Sequence, residues 1–282
     1  SNVLIGYIAG DNITTGETNI AIGRHALGTE NTGDRNIAIG HEALESLDFD
    51  GNGYNVAIGY NAGKEIITGN DSVLIGGQAG HLTTTGFRNV FIGRDAGLTN
   101  IDGSYSIAIG YEALKVQEPS GANAYNTAIG DQAGVAISTG VKNTIYGGTT
   151  AAALTTGSNN IVVGYSADVS ASGAANQLVI GYNVAGKLDN SVQLGNNDTV
   201  IWHPADDNGV SLGSTNYSFS DAHIQGVIYA STLNNGVSLT LPTSDGTSGQ
   251  VITTDGNGAL SWTNNLPSLT VTDLNVTSQL NY

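Results

Sequence analysis

The run Asn19-Ile20-Ala21-Ile22-Gly23 decides the fold, because it comes back as Asn36-Ile37-Ala38-Ile39-Gly40 and as Asn55-Val56-Ala57-Ile58-Gly59. Its closing glycine stands at positions 6, 23, 40, 59, 76, 93, 110, 130, 147, 164, 181 and 195, with gaps of 17, 17, 19, 17, 17, 17, 20, 17, 17, 17 and 14. A fixed period broken by rare small insertions is the mark of a stack in which each repeat is one turn of a solenoid. The consensus reads Asn/Ser–Val/Ile–Ala–Ile–Gly–x–x–Ala–Gly/Leu, then a polar stretch around Thr-x-Gly before the next Asn or Ser. The sequence therefore predicts an all-β fold, a β-solenoid or β-roll of about twelve 17-residue coils over residues 1–195. At about 4.8 Å per coil the stack is on the order of 55 Å long.

Within each copy, β-branched residues sit one and three positions before the glycine, as in Ile20 and Ile22, Ile37 and Ile39, or Val73 and Ile75. Their period of two places them on one face of a short strand, and that face is expected to fill the coil. The residue between them is then expected to point outward. It is Ala21, Ala38, Ala57, Leu74, Phe91, Ala108 and Ala128 in successive copies, never charged and mostly small. A strand apolar on both faces is normally covered on both. The stripe is thus a candidate trimer interface, packed against further copies most economically around a threefold axis. The alternative is cover by the chain's own turns.

A second glycine set lies seven residues before the first, at Gly16, Gly33, Gly69, Gly86, Gly103, Gly140 and Gly157. Both sets are expected to supply positive φ at the corners of the coil. The Asn or Ser that opens each strand should stack into a ladder, its side chain bonding to turn backbone or to its neighbours.

Eight Lys+Arg against 24 Asp+Glu leave a formal charge of −16, which disfavours a nucleic-acid partner because phosphates need a basic patch. Such a surface suits an exposed, soluble particle. Forty glycines with four prolines and no triplet period exclude collagen. With no cysteine there is neither a disulfide framework nor a thiolate metal site. The histidines at 25, 41, 81, 203 and 223 share no ligand spacing, so no cofactor or metal is expected. No stretch approaches the roughly 18 continuous apolar residues of a membrane helix, so no membrane insertion is expected. With no methionine, the chain is expected to begin within a longer protein.

After Gly195 the period fails. Residues 196–234, with Trp202, Tyr217, Phe219 and Tyr229, are predicted to form a small β unit. Residues 235–265 alternate around turns at Ser244-Asp245-Gly246 and Asp255-Gly256-Asn257-Gly258 and are predicted to form a hairpin or prism-like unit. Residues 266–282 read as an extended stem strand.

The Asn-x-Ala-Ile-Gly-x-x-Ala array resembles the head repeats of trimeric autotransporter adhesins and the repeats of phage tail fibres and spikes. The resemblance covers about residues 1–195 and is carried by the array, not by any one copy. Gly209-Val210-Ser211-Leu212-Gly213-Ser214 followed by Tyr217-Ser218-Phe219-Ser220-Asp221 looks like a unit common near the ends of phage fibres. So does Leu241-Pro242-Thr243-Ser244-Asp245-Gly246-Thr247-Ser248-Gly249-Gln250-Val251-Ile252 with Ser261-Trp262. The resemblance implies an intertwined, left-handed β-roll homotrimer. It also implies an end at Tyr282 made by removal of a C-terminal chaperone. The expected function is a structural and adhesive fibre segment, carried on a phage virion and attaching it to a host surface glycan or protein receptor beside other tail proteins. The alternatives are a bacterial trimeric adhesin head at the cell surface, a polysaccharide depolymerase spike and a purely structural filament.

Two features are candidates for binding. The positions after the strand glycine include Tyr60, Arg94 and Tyr111, which stacked coils align along one edge. Ring faces for sugars beside polar groups for hydroxyls suit a glycan. The two insertions, roughly 45–54 and 115–125, are expected to leave the solenoid surface as loops carrying Phe49, Tyr54 and Tyr125. Catalysis has weaker support: Asp95 with Glu112, or His41 with Glu42, has the residue types of an acid–base pair, but such pairs arise by chance on an acidic ladder. No enzyme is expected.

Overall fold

The structure, a computed structural model, describes residues 1–199 apart from 120 and 122, and residues 233–234, 238–239, 246–247, 250–254 and 260–264. Twelve very short strands stack into one parallel sheet in chain order. They are β1 (Val3–Ile5), β2 (Ile20–Ile22), β3 (Ile37–Ile39), β4 (Val56–Ile58), β5 (Val73–Ile75), β6 (Val90–Ile92), β7 (Ile107–Ile109), β8 (Thr127–Ile129), β9 (Thr144–Tyr146), β10 (Ile161–Val163), β11 (Gln177–Ile180) and β12 (Ser191–Leu194). Among the described residues there is no helix, so none that could cross a membrane. The fold is a β-solenoid. Equivalent residues pair directly, Ile20 with Ile37 and Ala21 with Ala38. The pairing crosses the first insertion without slipping, Ala38 onto Ala57.

Parallel neighbours need a crossover connection, ordinarily a helix; here the remainder of each coil supplies it as hydrogen-bonded turns. The backbone enters the left-handed region at three recurring places. In one coil these are Arg88 before the strand (φ 55°) and Asp95 and Gly97 after it (φ 59° and 58°). Gly93, closing β6, has φ 135°, and a Cβ there would overlap the Gly110 carbonyl of the next coil. Only glycine satisfies both demands. The second glycine set differs from expectation, since it does not have left-handed φ. At most of them a side chain is excluded by the next coil's backbone, as at Gly86, whose Cβ would lie 2.5 Å from the Gly103 oxygen, while at Gly103 the side chains of Asn100 and Pro119 exclude it.

The two strand faces are the reverse of the sequence expectation. Ala21, Ala38, Ala57, Leu74, Phe91, Ala108 and Ala128 are all 0% exposed within the single chain. They point into the coil and cannot form a trimer interface. The flanking β-branched residues face out, and every strand from β2 to β10 buries only its middle residue. The cause is the narrow interior, which in several coils takes one large side chain from either the strand or the facing turn. Three of the strand alanines meet leucine six positions on, Ala21 with Leu27, Ala38 with Leu44 and Ala108 with Leu114, all fully buried. Ala57 and Ala128 have Gly63 and Gly134 there, and the buried Ile66 and Ile137 lie against those glycines. Large ones meet glycine, and a Cβ on Gly97 would lie 2.5 Å from Phe91 Cε2, on Gly80 2.9 Å from Leu74 Cδ2. Branched side chains sit well on the outer pleated surface.

The opening Asn residues form the expected ladder, buried along the stack. The Asn36 N–H donates to Asn19 Oδ1 (2.8 Å) and the Asn160 N–H to Asn143 Oδ1 (3.0 Å). Most of the amides also donate to a turn carbonyl one coil on, as Asn19 Nδ2 does to Gly33 O (2.7 Å) and Asn89 Nδ2 to Gly103 O (2.8 Å), while Asn36 Nδ2 donates within its own coil to Asp34 O (3.2 Å). A buried amide with these partners satisfied fixes the corner, and leaving one unpaired costs about 1–3 kcal/mol. Where Ser106 interrupts the ladder, buried Gln117 bridges the gap, donating to Ser106 Oγ (2.9 Å) and accepting from Asn126 Nδ2 (2.8 Å).

The chain divides into two compact units, Ser1–His203 and Pro204–Tyr282. In the second, β13 (Leu233–Asn234) pairs antiparallel with β14 (Ser238–Leu239), straddling the boundary expected at 234/235. β15 (Val251–Thr254) pairs antiparallel with β16 (Leu260–Thr263) as a hairpin within residues 235–265. The stem expected over 266–282, and Trp202, Tyr217, Phe219 and Tyr229 of the expected small unit, lie outside the described residues.

Candidate functional site

Two edges flank the outward strand face: an upstream edge formed by the residue before each opening Asn or Ser, and a downstream edge formed by the residues after each strand glycine. The expected binding residues divide between them. Tyr60, Arg94 and Tyr111 lie on the downstream edge, Tyr54 and Tyr125 on the upstream one, and all five are exposed. Phe49 belongs to neither, being half-buried and packed against the core. The insertions also stay close to the stack. Isolated parallel bridges, Asp34 to Asn52 and Ser104 to Asn123, tie each to the preceding coil.

On the downstream edge the Arg94 guanidinium lies 4.8 Å from the Tyr111 ring centroid and donates to its hydroxyl (2.9 Å), with Asp95 3.3 Å from its Nε. His41 stacks on Tyr60 at 5.4 Å and accepts from Arg24 Nε (2.9 Å). Glu42 holds Lys64 (2.8 Å) and Arg24 (3.2 Å). Glu112 holds Lys115 (2.7 Å) and accepts from Gln132 Nε2 (2.8 Å). The Lys64 hydrogen bond holds the Glu42 carboxyl below its usual range. That of Lys115, with the Gln132 amide, holds Glu112 down to about 2. Both are fixed anions near neutrality, where a general acid must carry a proton.

The upstream edge reads Thr18, Arg35, Tyr54, Asp71, Arg88, Tyr105, Tyr125, Lys142, Asn159, Asn176 and Asn190 from β2 to β12. Arg35 lies 5.8 Å from the Tyr54 ring centroid. Arg88 lies 5.6 Å from that of Tyr105, donates to the Tyr105 hydroxyl (3.0 Å) and approaches Asp71 (3.6 Å). Tyr105 and Tyr125 stack at 4.9 Å and 15°, a separation that matches the spacing of adjacent strands. Phe87 meets Tyr105 edge-on at 5.2 Å. Sequence reasoning missed Arg35, Phe87, Arg88, Tyr105 and Lys142. Reading the column before the Asn as the column after the glycine was read would have found all of them except Phe87.

Stacking also changes what the tyrosines offer. Neighbouring coils cover one ring face each of Tyr54, Tyr60, Tyr111 and Tyr125. What projects along both edges includes tyrosine hydroxyls and guanidinium N–H groups in many of the coils, suited to hydrogen bonding along the stack. No family model, curated protein or solved structure matches this chain.

Proposed function

We propose that the chain is a segment of a homotrimeric fibre, carried on a phage virion, that attaches to a surface glycan of the host through its exposed edges without chemistry of its own. One observation carries the reading: the outer face of the sheet is apolar in both columns from β1 to β7, before Thr127 and Thr144 enter one column at β8 and β9. It presents Ile20, Ile37, Val56, Val73, Val90 and Ile107 in one column and Ile22, Ile39, Ile58, Ile75, Ile92 and Ile109 in the other. A face one strand wide over seven coils is on the order of 300 Å², within the range of the largest apolar patches on soluble proteins, which are often functional. A second and third copy would cover it. Three copies of each edge then raise avidity beyond any single contact.

Sedimentation equilibrium tests the assembly, with three times the 28.7 kDa chain mass expected; a stable monomer overturns it. Adsorption to a panel of bacterial cells tests the attachment. Binding to a susceptible strain is expected, with loss after periodate oxidation of surface sugars. Binding untouched by that treatment overturns the glycan reading.

A further inference from the structure

The upstream edge is built against the preference of its own backbone. Thr18, Arg35, Tyr54, Asp71, Arg88, Tyr105, Tyr125, Lys142, Asn159, Asn176 and Asn190 all have φ between 49° and 62°. Asn and Asp adopt this region most cheaply after glycine, whereas bulky residues are strained there, by about 1–2 kcal/mol each. From β10 to β12 the column takes the cheap solution with Asn159, Asn176 and Asn190, and it does so once more at Asp71. From β3 to β9 it carries Arg35, Tyr54, Arg88, Tyr105, Tyr125 and Lys142 instead. Burial does not compensate them as it does Leu27, Leu44 and Leu114, which have similar φ but fill the core. Of the six, Arg35, Tyr54, Arg88, Tyr125 and Lys142 are exposed. Strain kept at exposed positions in one column points to a use for the side chains.

The order of residue types defines that use. Arg35 precedes β3, Arg88 precedes β6 and Lys142 precedes β9, so a cation recurs every third coil, about 14 Å apart. Three of the eight cations in a chain of charge −16 stand in this single column. Tyr54, Asp71, Tyr105 and Tyr125 stand in the coils between them, and each arginine lies against the tyrosine of the following coil, with Asp34 3.9 Å from Arg35 and Asp71 3.6 Å from Arg88. We infer that the upstream edge from Arg35 to Lys142 binds an extended acidic polysaccharide running along the stack, with carboxylates on the three cations and sugar hydroxyls on the tyrosines between them. This rests on the glycan reading above and narrows it to one edge and one class of polymer.

The test uses the full chain, with hyaluronan as the acidic probe and dextran as the neutral one, by calorimetry at low and at physiological salt. Binding to hyaluronan that weakens with salt, with little binding to dextran, is expected. The triple variant Arg35→Gln, Arg88→Gln, Lys142→Gln should weaken it about tenfold or more and flatten the salt dependence. Arg24→Gln with Arg94→Gln, on the opposite edge, should change it less than twofold. The inference is overturned by equal binding to dextran, by sensitivity of the downstream pair alone, or by failure to bind hyaluronan. Loss of assembly in the triple variant, seen by sedimentation, also overturns it by making the edge a subunit contact. Adsorption to cells that is abolished by periodate while hyaluronan fails would leave the broader glycan reading standing.

Discussion

Ile107 and Ala108 are neighbours in one three-residue strand, both apolar, yet Ile107 is 36% exposed and Ala108 0%. The larger side chain is outside and the smaller inside, against the usual association of bulk with burial. The difference teaches that the inside of this solenoid is limited by width. A coil closed by tight turns has room for a methyl group on the strand wherever the facing turn brings a leucine. The outer face has no such limit, and its isoleucines and valines remain partly exposed in the single chain.

The comparison breaks most sharply if one aspartate is placed at each site. Ala108→Asp puts a charge into the sealed column and is expected to cost about 4 kcal/mol or more, abolishing the β signal in circular dichroism. Ile107→Asp should cost the single chain about 1 kcal/mol or less and leave that signal intact, while shifting sedimentation towards the monomer. Equal loss of fold in both variants would contradict the assignment of faces.

A smaller effect sharpens the account of the interior. Phe91→Ala alone should cost about 3–5 kcal/mol, and Gly97→Leu alone about 1–3 kcal/mol through overlap with the Phe91 ring. The double variant recreates the Ala108–Leu114 pairing, with Leu114 at φ 47° showing that leucine fits this backbone. Urea unfolding should show the two changes recovering at least 2 kcal/mol of their sum; simple additivity would refute the one-large-residue rule.

The smallest effect concerns a buried carboxyl in the same interior. Glu30 is fully buried; its Oε1 accepts from the Gly33 and Asn31 N–H groups (2.6 and 3.0 Å), while Oε2 has no partner. Burial pushes its pKa up, so the protonated form suits the fold. Stability is then lost as pH rises through the raised value. Glu30→Gln should raise the melting temperature by a few degrees at pH 7, about 1 kcal/mol, with the gap closing near pH 3. A gap that widens on acidification would reverse the sign. Glu112 runs the other way. Its hydrogen-bonded carboxylate contributes above the usual carboxylate range and loses that contribution as pH falls towards about 2.

The coil period, the strand positions and the Asn ladder were legible in the sequence, because each rests on one residue type recurring at one spacing. The direction of the faces was not, because an apolar-apolar-apolar strand reads the same from either side. The deciding signal lies downstream of each strand, where a small strand residue is matched by leucine six positions on, as at Leu27, Leu44 and Leu114, or by isoleucine nine positions on, as at Ile66 and Ile137, and a large one by glycine, as at Gly80 and Gly97. The aromatic edges were half legible. Tyr54 and Tyr125 are marked by the insertions beside them, while Arg88 and Tyr105 stand in regular coils and gain meaning only when stacking brings them to 3.0 Å. Phe49 looked exposed because it sits in an insertion, but it packs inward.

The Asn ladder joins coil to coil by a recurring pair of bonds, broken in its second member only at Asn36 among its asparagines from Asn19 to Asn160, and the glycine corners leave little space for anything else between coils. Length in such a molecule is quantised. A whole coil can be gained or lost at its joints with every surviving contact restored, whereas a partial coil breaks the amide ladder and the strand register together. The insertions respect this rule by lengthening a turn and leaving the pairing of strands unchanged. Reach can therefore be adjusted in steps of one strand spacing, about 4.8 Å, by duplication or deletion of 17 residues, with no further adjustment elsewhere in the stack.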